Sequence, residues 1–569
     1  MTILQPKIQD LAIIGDRRTC AYTDKQANIV WYCPGRFDQP SVFASLLDIE
    51  NGGAWKIIAE GLTFKERHYT GDSAILNTYL LHTAGALQVE DWMPMGTAFT
   101  GICRSLSEAP VDLQLVLQPK PDYARGEVEL LLQDNTASIN GTLFLSASHP
   151  LQLQGDTICC AVPEGEKSWF VLADQEFKAE EQLLEEARKA TLQEWKQISR
   201  HITYHGAYQK EVRNSLRVLR MMTFAENGGI IAAGTTSLPE VPEGDRNYDY
   251  RYVWLRDAAM IASALTRAGS DGEEERKFLD FICNALHHID KPVVPFFTLD
   301  FEPAPGEEEL HHLTGYKASL PIRIGNNANS QLQLDAISNV LLAAKVIYNK
   351  FDTREHWQLV SELANYLAAH WHEKDHGIWE ETQKQHYTVS KVVASISLKY
   401  IAELSEEQEQ KERWEQASFE IRNFVQQNCL TSEGAYAAFP GTEAVDVSAI
   451  LFPIWAYVDA DDPAVLKTIE VLERDYCQHN LFRRHLVDYE GEEGAFLAGT
   501  FWVAQYYVMR KNTERFKQIM DAALAFMNDV GLMPEEGDPV TGEFLGNIPQ
   551  TFVHASLVGA VIDYENTKD

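Results

Sequence analysis

The chain reads as two parts: an antiparallel β-sandwich, then a connecting helix and a closed (α/α)6 barrel. Three observations predict this. Up to about residue 175 the pattern is short, turn-punctuated and of period two. A charged stretch without Gly or Pro follows, "EFKAEEQLLEEARKATLQEWKQISRH". From about residue 207 onward the apolar residues recur at helical spacing.

The strands come first. "VDLQLVLQPK", "TASINGTLFLSAS" and "SWFVLAD" alternate β-branched, aromatic and polar residues between Gly, Pro and Asp-Asn breaks. Strands of this kind bury one face each, which an antiparallel sandwich satisfies. The charged stretch is rich in helix formers and predicts a single helix. The boundaries expected are 1–177 for the sandwich, 178–206 for the linker helix and 207–569 for the barrel.

Twelve helical segments are expected, starting near Tyr208, Asp257, Glu274, Gln331, Arg354, Tyr387, Glu406, Asp446, Ala464, Gly494, Thr513 and Thr551. "QLQLDAISNVLLAAKVI" shows their i, i+3, i+4, i+7 pattern. Connections after even-numbered segments are short, such as "SDGEE", "DT" and "DDP". Those after odd-numbered segments are long, such as "HEKDHGIWEETQKQH" and "GLMPEEGDPVTGEFLGNIPQ". Six hairpins in a ring would carry every long loop to one end, where function is expected.

Composition narrows the function. With 569 residues and 45% hydrophobic content the chain can bury large cores. Its net charge of −34 opposes nucleic acid and anionic membranes as partners. No stretch approaches the ~18 apolar residues of a membrane span. The N-terminal stretch does not read as a signal peptide. The eight cysteines lack metal-like spacing and read as reduced thiols. These features predict a cytoplasmic protein without metal or cofactor. Nucleophile-elbow, phosphate-loop and zinc-helix motifs are missing. His311 and His312 are adjacent, which suits a shared metal poorly.

The long loops collect Trp, Tyr, Arg, Asp and Glu. That set suits glycoside hydrolysis, which needs one carboxylic acid and one carboxylate, with rings and charged groups to hold a sugar. A small carbohydrate is the expected partner. Several stretches carry a family resemblance. They are "IGDRRTCAYTDKQANIVWYCPGRFDQPSVFASLLDIENGGAW", "GGIIAAGTTSLPE", "RNYDYRYVWLRDA", "HLTGYKASLPIRIGNNANSQLQLDA", "GIWEE", "EEGAFLAGTFW" and "GLMPEEGDPVTGEFLGNIPQTFVHASLVGA". In this order, nearly end to end, they resemble glycoside hydrolase family 15, the glucoamylase and bacterial trehalase family.

The resemblance implies the same sandwich, linker and barrel. It implies release of glucose with inversion by two glutamates. The acid follows Trp379 and falls on Glu380; the base falls on Glu535. Arg256 and Asp257 match the pair that holds the terminal glucose, and Tyr250 and Trp254 fit ring-facing positions. Trp379 and Glu381 neighbour the acid. Glucoamylase-type exo-hydrolysis of α-glucans is expected first, trehalose hydrolysis second, and a non-catalytic sugar-binding protein is the alternative of another class. Tyr248, Gly499-Thr500 and Val553 depart from the family pattern and put substrate preference in doubt.

Blander readings stand beside these. Glu381 and Glu536 could be solvated acids. Arg256 and Asp257 could be a structural ion pair, with Asp257 capping a helix. Tyr250 and Trp254 could be core. "NNANS" could be a cap and turn. Glu492 and Glu493 are rivals for the base. As base, Glu535 is expected to be the better solvated of the two acids.

Overall fold

The computed structural model describes residues 5–176, 179–200, 204–287, 294–484 and 493–568. Two antiparallel sheets form the N-terminal part. The first holds seven strands in the order Ala12–Gly15, Cys20–Thr23, Ile29–Tyr32, Ala54–Ile58, Leu113–Gln118, Thr157–Val162, Leu151–Gln154. The second holds eight, and Leu76–His82 pairs with Gly85–Trp92 as a hairpin in it. Leu113–Gln118 alternates buried and half-buried residues, as a one-sided strand should.

Ala12–Gly15, Cys20–Thr23 and Ile29–Tyr32 are buried at every position. Their second face lies against the barrel loops. Tyr22 Oη donates to Ile548 O at 2.7 Å, and Trp31 Nε1 donates to Gly234 O at 3.0 Å. The sandwich thereby braces two of the loops that build the site.

The linker helix is α1, Glu181–Ser199. The barrel helices are α2 (Gln209–Met221), α3 (Leu255–Arg267), α4 (Glu273–His287), α5 (Leu334–Phe351), α6 (Trp357–His370), α7 (Thr388–Ala402), α8 (Gln408–Asn428), α9 (Leu451–Ile454), α10 (Pro463–Val471), α11 (Leu497–Met509), α12 (Thr513–Leu524) and α13 (Thr551–Asn566). An inner ring closes as α3, α5, α7, α9 with its preceding turn, α11, α13 and back to α3. Inner helices are apolar nearly all round: Leu497 to Tyr506 of α11 are all buried. Outer helices bury one stripe, as α8 does with Trp414, Ala417, Ser418, Ile421 and Val425.

The ninth helix is shorter than its sequence suggests. Val447–Ile450 is a 3-10 turn and only Leu451–Ile454 is α-helical. Pro453 lacks an N–H and its ring would clash with the carbonyl four residues back. Each long connection leads from an outer helix into the N-terminus of an inner one, so the loops gather at a single end. All eight cysteines are free. No described helix is long and apolar enough to cross a membrane.

Candidate active site

A cavity of about 410 Å³ opens among the long loops at the inner-helix N-termini. Its walls include Glu380, Glu535, Tyr250, Trp254, Arg256, Asp257, Trp379 and Glu381, so every residue expected at the site lies in one place.

Glu380 sits in a tight turn. Its backbone is left-handed, with φ 59°, and Glu381 N donates to His376 O at 2.9 Å. A left-handed non-glycine residue costs energy and persists only when its surroundings hold it. Three groups do so here. Gln331 Nε2 donates to Glu380 O at 3.0 Å, and Arg256 Nη1 to Ile378 O at 2.7 Å. Gly377 supplies the third: its φ is +69°, and a Cβ there would meet the Tyr387 ring at 2.7 Å.

Trp254 Nε1 donates to Glu380 Oε1 at 2.6 Å, and Arg256 Nη2 lies 3.6 Å from the same oxygen. Burial raises the Glu380 carboxyl, while Arg256 and the Trp254 hydrogen bond pull it back. Arg256 also pairs with Asp257 at 2.9 Å and approaches Asp335 at 3.9 Å. Asp335 is fully buried, and burial pushes it up to about 7. Asp257 does not cap its helix, which has no side-chain cap. Trp379 Nε1 donates to Asp446 Oδ2 at 2.6 Å, which fixes the ring against Phe496.

Glu535 lies across the aromatic wall from Glu380. Tyr250 Oη donates to Glu535 Oε1 at 2.8 Å, and the Tyr250 ring meets Trp254 edge-on with centroids 5.6 Å apart. One pair of packed rings therefore carries a hydrogen bond to each glutamate. Tyr250 and Trp254 are core by packing and site by their polar ends. Gly546 lets Glu535 fit: a Cβ there would meet Glu535 Oε2 at 2.8 Å. Met533, at the start of the same loop, donates its N–H to His554 Nε2 at 3.2 Å. Burial pushes His554 down to about 3, so it stays a neutral acceptor.

Three expectations are corrected here. Glu535 is not the better solvated acid; it is 4% exposed. Glu536 is no solvated acid either, being 0% exposed. Glu493 is buried and ion-paired to Arg484, so it is a structural partner in the wall rather than a free rival base; Glu492 lies outside the described residues. Sequence reading also missed Glu240, Arg246 and Arg484, which line the cavity beside Glu535. Arg484 Nη2 pairs with Glu240, with Glu493 and, at 3.0 Å, with Glu536. Arg246 Nε lies 2.9 Å from Glu240. Three carboxylates, Glu240, Glu493 and Glu536, thus share two guanidiniums. Burial, and after it the neighbouring carboxylates Glu240 and Glu493, raise Glu535 and Glu536.

Glu240, Glu493 and Glu536 lie close enough together to suggest a cation site. The Arg484 guanidinium already takes that role, since one of its nitrogens pairs with all three. His311 and His312 do not converge: His312 Nε2 bonds Tyr123 O at 2.7 Å, while His311 is 81% exposed beside Glu309. "NNANS" is a cap, with Asn326 accepting from Ala328 N, and Asn326 and Asn327 also line the cavity.

The cavity offers a half-buried carboxyl, Glu380, beside a guanidinium and a buried one, Glu535, beside carboxylates, with rings along one wall and paired cations along the other. The family model described as "Glycosyl hydrolases family 15" matches residues 206–562, and "Trehalase-like, N-terminal" matches residues 4–186. Trehalase 1 of Sulfolobus acidocaldarius is 30% identical, over 97% of this chain and 98% of that one. The trehalase of Mycobacterium tuberculosis is 29% identical, over 98% and 89%. A bacterial glucoamylase solved with acarbose has the same fold, with a TM-score of 0.73 at 13% identity over 99% and 96%. From its sandwich to its last barrel helix, the chain belongs to glycoside hydrolase family 15.

Proposed function

We propose that the chain is an inverting trehalase, cleaving α,α-trehalose with Glu380 as general acid and Glu535 as general base. The observation that carries this reading is the match, nearly end to end, to relatives named trehalase. It reverses the order that sequence alone suggests, which puts glucoamylase first.

The deep wall, with Trp254, Arg256, Asp257 and Phe552, takes one glucose. Arg256 and Asp257 hold hydroxyls while holding each other. Glu380 gives its proton to the bridging oxygen as the C1–O bond breaks. Burial favours its protonated form, and Trp254 and Arg256 stabilise the anion left behind. Water attacks C1 from the far side and loses a proton to Glu535, whose carboxylate form Arg484, the Tyr250 hydrogen bond and Arg246 favour against burial and the charge of Glu240. Tyr250 holds Glu535 Oε1, and Oε2 has no hydrogen-bond partner among the described residues.

Purified protein tested on trehalose, maltose and isomaltose decides the matter. The highest kcat/KM should be on trehalose. A preference for maltose would restore the glucoamylase reading.

A further inference from the structure

The mouth of the cavity has its own construction. Arg323 ties three loops together there. Its backbone N–H donates to Ser237 Oγ at 2.8 Å, and its carbonyl accepts from Thr236 Oγ1 at 2.6 Å. Its Nη1 donates to Asp245 O at 2.5 Å and Asn247 O at 3.2 Å, and its Nε pairs with Glu307 at 2.7 Å. The same guanidinium lies 5.4 Å from the centre of the Tyr248 ring.

Tyr248 and Glu307 line the cavity; Arg323 is absent from its wall. Tyr248 is half-buried, between exposed Asp245 on one side and buried Asp249 on the other along the chain. Asn547 Nδ2 and Ser237 N both donate to Tyr248 O, at 2.9 Å and 3.0 Å. Burial pushes its hydroxyl up to about 12, so it remains a neutral phenol. A rigid, neutral aromatic at a polar mouth suits a pyranose, whose C–H face packs on rings and whose hydroxyls meet polar edges. The deep wall is already committed to the glucose that is attacked.

We propose that Tyr248 receives the leaving glucose and sets selectivity for the second sugar, with Arg323 as the residue that positions its ring. This rests on the trehalase reading for the identity of that sugar. The claim is separable from catalysis, because α-glucosyl fluoride fills the deep wall and leaves with no second ring.

The test compares kcat/KM on trehalose with kcat/KM on α-glucosyl fluoride. Tyr248→Ala should lower the trehalose-to-fluoride ratio by about tenfold, the size expected for one lost ring contact. The loss should appear in KM on trehalose. Tyr248→Phe should restore most of the ratio. Arg323→Lys should lower it in the same direction, and it tests the proposal even if Tyr248→Ala does not fold. An unchanged ratio in Tyr248→Ala or Arg323→Lys overturns the proposal, whatever happens to melting temperature. If the wild type cleaves maltose and not trehalose, the trehalase reading fails. The ratio taken with maltose then judges Tyr248 by the same criterion.

Discussion

Trp254→Phe removes the indole hydrogen bond to Glu380, the acid of the proposed mechanism, and part of a ring packed on Tyr250 and Phe296. The indole N–H donates to Glu380 Oε1 at 2.6 Å, while the ring stacks on Phe296 with centroids 4.2 Å apart. Phenylalanine keeps an aromatic ring in that stack. A hydrogen bond to a charged acceptor contributes about 1.5–3 kcal/mol. It favours the carboxylate over the acid, so losing it raises the Glu380 pKa. At 1.36 kcal/mol per pH unit, the rise is about 1–2 units. Arg256, 3.6 Å away, acts on the carboxylate before and after the substitution, and a shift at the low end of that range is expected. About one unit is the expected net effect. The assay is the pH profile of kcat/KM, whose limbs report the free enzyme. The alkaline limb, where the acid loses its proton, should move up by about one unit. The acidic limb should stay in place. In the Glu380→Gln background no alkaline limb should remain to be moved. An alkaline limb that stays put or moves down in Trp254→Phe would refute the assignment of Glu380 as acid.

Other outcomes follow from the same geometry. Glu380→Gln should lose hydrolysis of trehalose yet keep much more activity on α-glucosyl fluoride, whose leaving group needs little protonation. Glu535→Gln should lose both, with partial rescue by azide; steady-state rates on the two substrates check this. Asp335→Asn should change how stability depends on pH. In the folded wild type Asp335 is raised from 3.8 to about 7, so its stabilising effect is present below about pH 4 and lost as pH rises toward 7. That rise corresponds to at most about 4 kcal/mol. Urea unfolding at pH 5 and pH 8 should therefore show the variant gaining on the wild type at the higher pH, and parallel curves would contradict this. Excess chelator should leave trehalose hydrolysis unchanged, because Arg484 already pairs with the one carboxylate cluster among the described residues that suggests a cation; activity lost and then restored by a divalent ion would contradict that.

The barrel was legible because its signal is periodic and long. Expected helix starts at Gln331, Arg354 and Gly494 fall three residues before Leu334, Trp357 and Leu497, as fraying caps allow. The segment at Asp446 was less legible, since Pro453 cuts its α-helix to Leu451–Ile454. At the site, Trp379-Glu380 and Arg256-Asp257 stood out because unusual residue types sit side by side in long loops. Glu240, Arg246 and Arg484 did not, because each is ordinary in its own stretch and acquires meaning only when three loops converge. Glu536 was unreadable for a local reason. It begins the two-residue strand Glu536–Gly537, and successive side chains on extended backbone point to opposite sides. Glu535 therefore reaches the cavity wall while its neighbour turns toward Arg484. The solvation of Glu535 was misjudged for a similar reason, since its neighbours Glu240 and Tyr250 come from a distant loop.

The central claim is trehalose hydrolysis with inversion by Glu380 and Glu535, and early proton NMR of a trehalose digest tests it most directly. Inversion at one of the two α-linked carbons gives one β-glucose, while the leaving sugar departs as α-glucose. The account predicts the two anomers in equal amounts before mutarotation. α-Glucose alone would mean retention, and trehalose left intact would mean a different substrate; either result contradicts the account.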